Sequence, residues 1–88
     1  MENEERFFET PDPYASSVLT IELKKEPEYV LRRKKVFFRF VKDEGLYQIL
    51  NRYVSGELQV TAIRFVETLR RLRSEMIRRR EAGDADGR

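Results

Sequence analysis

The run Lys-Val-Phe-Phe-Arg-Phe-Val at positions 35–41 constrains the fold more tightly than any other stretch. Val36, Phe38 and Phe40 alternate with Phe37, Arg39 and Val41, a period of two built from aromatic and β-branched residues, which predicts a strand. Residues 28–33 predict its partner, with Tyr29 and Leu31 sharing one face of the hairpin. The turn falls within residues 32–35, which lack the Asn-Gly or Asp-Gly of a tight hairpin. Two strands alone are marginal, and this pair carries apolar residues on both faces. The hairpin therefore needs cover on both sides, from helices, a partner, or each in turn.

The rest of the chain reads as helices. Thr10 offers an N-cap hydroxyl, Pro11 suits the first helical position, and Pro13 is tolerated in the first turn. Tyr14, Val18 and Ile21 then share a face, with Leu19 beside them, and Pro27 stops the helix near residue 24 or 25. Asp43 caps a second helix running to about Val54, with Leu46, Ile49, Leu50 and Tyr53 turned inward and Ser55-Gly56 as its stop. Thr61 caps a third, in which Ala62, Phe65, Val66, Leu69, Leu72 and Met76 form a narrow apolar stripe. Residues 1–9 read as a flexible arm anchored by Phe7 and Phe8, and residues 82–88 as a disordered tail. The expected fold is one small α+β domain over residues 10–81, a helix–β-hairpin–helix–helix chain with its helices packed on one face of the hairpin.

A chain of 88 residues buries only about 60–65% of the surface that its unfolded form exposes. With 40% apolar and 39% charged residues, it is either a small domain with a large surface or a protomer that completes its core in a homodimer. It has no histidine, cysteine or tryptophan. Ser16, Ser17, Ser55 and Ser74 thus lack the usual base of an acyl-transfer triad. Asp12, Glu22, Glu26, Glu28, Asp43 and Glu44, the carboxylates nearest the predicted elements, show neither Asp-x-Asp spacing nor a Gly-rich loop for a hard cation. The four glycines are scattered at 45, 56, 83 and 87, so no loop cradles phosphate. These features predict a non-enzymatic protein without metal, cofactor or small-molecule substrate. No apolar run approaches the ~18 residues of a membrane span. The acidic start Met-Glu-Asn-Glu-Glu-Arg is unlike a secretory signal, so the expected location is cytoplasmic.

Charge is strongly segregated. Residues 1–31 hold three basic and eight acidic residues, whereas residues 32–42 hold six basic and none acidic. Residues 61–80 carry seven arginines against two glutamates. Arg64, Arg71 and Arg78 recur every seven residues opposite the apolar stripe. Guanidinium pairs bidentately with phosphate, which points to nucleic acid. A solvated face held by Glu67–Arg71 and Glu75–Arg79 pairs fits the same residues, as does an acidic protein partner. Arg32, Arg33, Lys34 and Lys35 can likewise sit on a nucleic-acid backbone or blunt strand edges. Arg39 interleaves with Phe37 and Val41 on the face away from the core, a mixture suited to single-stranded nucleic acid. Burial of Phe37 and Val41 in a homodimer is the favoured explanation of that face. Phe65, Leu69, Leu72 and Met76 have the 4-3-4 spacing of a coiled-coil seam. Two heptads being too few to stand alone, that stripe is expected to pack on the hairpin, with a dimer contact near its C-terminal end.

Three stretches together resemble an uncharacterised family of small bacterial and phage proteins, a domain of unknown function. They are Thr10-Pro-Asp12-Pro-Tyr14, the aromatic strand Val36–Val41, and Tyr53-Val-Ser55-Gly56 followed by Val60, Phe65, Leu69, Arg70 and Leu72. The family shows a Thr-x-Asp-x-Tyr start, a Phe-Val-Phe-like strand, a Tyr-x-Asn-Gly junction and a final helix rich in Leu and Lys/Arg. The likeness covers residues 10 to about 77, with Ser55 where Asn is common and no glycine between the first helix and first strand. It implies a small α+β domain and no particular activity.

Overall fold

The computed structural model describes residues 6–86, with side chains through Gly83. The elements in order are β1 (Phe7–Thr10), α1 (Pro13–Leu23), β2 (Glu28–Arg32), β3 (Lys35–Val41), α2 (Glu44–Ser55) and α3 (Ala62–Asp86). The protein is a small α+β domain whose helices pack on one face of the sheet. That sheet has three antiparallel strands in the order β1-β3-β2, one more than the hairpin alone. The extra strand comes from the expected arm. Phe7 pairs with Val41 and Thr10 with Phe38, so residues 7–9 are sheet. Residues 1–5 of that arm and residues 87–88 of the expected tail lie outside the described residues.

Helix boundaries follow local chemistry. The α1 N-cap is Asp12 rather than Thr10, because Pro13 takes the first helical position and the Asp12 carboxylate accepts from the Tyr14 N–H at 2.9 Å. Thr10 instead accepts from the Asp12 N–H at 3.1 Å. Lys24 closes α1 in the left-handed region, at φ 58°, with Pro27 three residues on. The capping roles expected of Asp43 and Gly56 on α2 are both present. Asp43 accepts from the Leu46 N–H at 2.8 Å, and Gly56 adopts φ 79°.

Phe38 and Phe40 of β3 meet Leu19 of α1, Leu46 of α2 and Leu72 of α3 in one buried cluster. Each large apolar side chain taken out of water there stabilises the fold by about 1.5–3 kcal/mol. Phe8, Tyr29, Ile49, Leu50 and Met76 pack around it. The stripe of α3 thus serves the protomer's own core. Leu72 has no exposed surface left for an interface, and Phe65, Leu69 and Met76 are half-buried. Val66 departs from the expected stripe and is exposed, as are Ile63 and Ile77 outside it.

The third helix also outruns its expected end, with residues 82–86 helical instead of a disordered tail. Gly83 lies close against β2, its missing side chain leaving room for that of Leu31. A Cβ at that position would stand 2.0 Å from Leu31 Cδ2. Among the described residues, no helix is long and apolar enough to cross a membrane.

Candidate nucleic-acid interface

Alternation along β3 divides the sheet. Val36, Phe38 and Phe40 are buried beneath the helices, whereas Lys35, Phe37, Arg39 and Val41 face away from them. Register extends the outer face to Phe7 and Glu9 on β1 and to Glu28, Val30 and Arg32 on β2. Glu9 lies at the centre of a charge network spanning all three strands. Its carboxylate accepts from Arg32 Nη2 at 3.1 Å and from Arg39 Nε at 2.8 Å, and it also contacts Arg32 Nη1. Glu28 approaches Arg39 at 3.8 Å. The hydrogen bond from Arg32 is the main cause that holds the Glu9 pKa below its ordinary value, against the opposing effect of burial, with Arg39 adding to the lowering.

Two phenyl rings share this face with the cations. Arg39 Cζ lies 4.5 Å from the Phe7 ring centroid. Arg32 Cζ and Lys35 Nζ lie 5.5 and 6.0 Å from the Phe37 centroid. These are cation–π distances. Phe37 and Phe7 are half-buried and Val41 is 55% exposed.

Of the three non-glycine residues at positive φ among the described residues, two form the hairpin tip. With Arg32 paired to Lys35, the loop is two residues long, and Arg33 and Lys34 adopt φ values of 53° and 67°. Positive φ at both central residues is the type I′ arrangement that matches strand twist, and Asn-Gly or Gly-Gly normally supplies it. Here two basic side chains occupy it. Among the described residues neither makes an ion pair or hydrogen bond.

The arginines of α3 divide into paired and unpaired sets. Glu75 bridges Arg78 and Arg79, at 2.6 Å to each, so the i, i+4 pair expected of Glu75 and Arg79 is present. Arg79 also stacks 4.8 Å over the Tyr29 ring. The expected Glu67–Arg71 pair is absent, because Arg71 reaches across to Glu26 ahead of β2. Arg64, Arg70, Arg73 and Arg80 make no ion pair among the described residues.

These contacts orient α3 along β2. Arg71 meets Glu26, Arg79 meets Tyr29 and Gly83 meets Leu31, so the C-terminal end of α3 approaches the hairpin tip. An open cavity of about 400 Å³ lies between them, lined by Tyr29, Leu31, Val36, Arg78, Arg79, Ala82 and Gly83. The structure therefore gathers Arg32, Arg33, Lys34, Lys35 and Arg78 at one end. It leaves Arg64 fourteen residues back, about 21 Å along the helix axis. The sequence pattern did not single out Arg79 and Arg80 as contacts, and it left Phe7 out of the outer face. Phe7 reaches that face only because β1 joins the sheet, opposite Val41 and so at the end of β3 away from the tip. Among the described residues, no group of acidic side chains comes together in a way that could hold a metal ion.

No family model matches this chain, and no curated protein or solved structure matches it either.

Proposed function

We propose that this chain is a non-enzymatic module that binds nucleic acid through backbone phosphates, using the hairpin tip and the adjoining end of α3. The observation that carries the reading is the positive φ of Arg33 and Lys34. Non-glycine residues in that region cost about 1 kcal/mol or more each, and such outliers cluster at functional sites. The tip bears that cost while presenting two adjacent cations to solvent, beside Lys35, Arg78, Arg79 and Arg80. Backbone phosphates suit such a surface, and binding through them is weakly sequence-specific and steeply salt-dependent. The same proposal takes the chain as a cytoplasmic bacterial or phage protein, in keeping with the resemblance of residues 10–77.

Charge reversal tests it. Replacing Arg33→Glu and Lys34→Glu together is expected to weaken binding about equally for unrelated oligonucleotide sequences and to lower the magnitude of the salt slope by about 1.4 on a single strand and about 1.8 on a duplex. An unchanged affinity in fluorescence anisotropy overturns the reading.

One observation favours a second reading, a homodimer or an adaptor on an acidic protein surface. Ile63 is 67% exposed and Val66 45% exposed on the outer side of α3, where a partner helix could cover them. Light scattering at high protein concentration decides whether copies associate, and a strictly monomeric mass removes the homodimer.

A further inference from the structure

We infer that the uncovered face of the sheet is a stacking platform for single-stranded nucleic acid, with Phe37 as the principal ring and Phe7 as a second. The inference rests on the phosphate-binding reading and adds the strandedness of the ligand. The helices all lie over Phe38 and Phe40, so nothing among the described residues covers the opposite face. On it Phe37 is flanked by Val30, Arg32 and Lys35, and Phe7 by Arg39. The two rings stand four residues apart along β3, counting Phe7 at its partner Val41, which is about 13 Å in the strand direction.

Two rings with cations between them suit non-adjacent bases of a single strand and the phosphates that link them, and every base has a π-face to stack. A duplex keeps those faces inside its own stack, so it reaches the cations and not the rings. A second protein surface is the poorer occupant. It would bury Arg32, Lys35, Arg39, Glu9 and Glu28 in one contact, whereas interface cores are depleted of charge. Arginine next to aromatic side chains instead contributes to single-strand binding, by stacking on bases and by attracting phosphate. Glu9 opposes the ligand, since its carboxylate already occupies the space between Arg32 and Arg39.

The test uses the full chain, a labelled fifteen-nucleotide oligo-dT and a duplex of the same length, at low salt. The variants are Phe37→Leu, which keeps the half-buried position apolar, and the Arg33→Glu/Lys34→Glu pair. The platform requires Phe37→Leu to lose about tenfold in affinity for oligo-dT with little change for the duplex. It also requires an oligonucleotide carrying 5-iodouracil to photo-cross-link to Phe37 or Phe7 of the unmodified protein. Equal losses on both ligands, no loss on either, or cross-links confined to other residues overturn the platform. In those cases the phosphate reading stands if the charge-reversed tip still weakens both ligands. Failure of the unmodified protein to bind either ligand overturns both.

Discussion

Arg33 and Lys34 set local stability against exposed charge within two residues. An L-residue at positive φ crowds its Cβ against the backbone, and Asn and Gly escape most of that cost. Arg33→Asn with Lys34→Gly is therefore expected to stabilise the fold by about 1 kcal/mol in urea unfolding while weakening oligonucleotide binding. Changes of opposite sign mark a tip kept for its charges. If affinity holds while stability rises, the tip has no part in binding. The basic tetrapeptide was plain in the sequence, but its backbone was not, because turn type is read from Asn and Gly and this turn has neither. The failed Glu67–Arg71 pair has a similar origin. Spacing on a helix surface shows which neighbours are available, and Arg71 had a better one in Glu26, on the chain leading into β2.

Elements were legible where periodicity was long and obscure where it was short. The heptad-like run of α3 and the alternation of β3 identify those elements unaided, while Asp43 and Gly56 mark the ends of α2 and Pro27 the end of α1. The four-residue strand β1 is too short to show a period. The small, polar composition after residue 82 reads as a tail, whereas in the structure α3 continues to Asp86 with Gly83 against Leu31. Once β1 is in place, Glu9 links all three strands, and this gives the sheet a dependence on acid. The folded pKa of Glu9 lies below its ordinary 4.5, so its contribution is fully present above that value. It is lost as pH falls from 4.5 through the lowered value. Glu9→Gln should flatten the loss of thermal stability over that window. A variant that loses stability with pH as steeply as the unmodified protein would show that the network contributes nothing.

At the scale of the molecule, the two basic blocks of a chain with a net charge of only +2 converge at one end. That convergence depends on α3 running alongside β2, which no linear pattern reveals. It is why the candidate surface keeps Arg78, gains Arg79 and Arg80, and loses Arg64 to the far end. The salt dependence of affinity for oligo-dT, measured by fluorescence anisotropy between about 50 and 200 mM monovalent salt, tests this account most directly. With four or so phosphates neutralised by Arg33, Lys34, Lys35 and the end of α3, log K should fall with log salt at a slope near −3, since each contact on a single strand contributes about −0.7. A slope near zero, or no binding at the lowest salt, would contradict it and mark the basic end as a solvated or protein-facing surface.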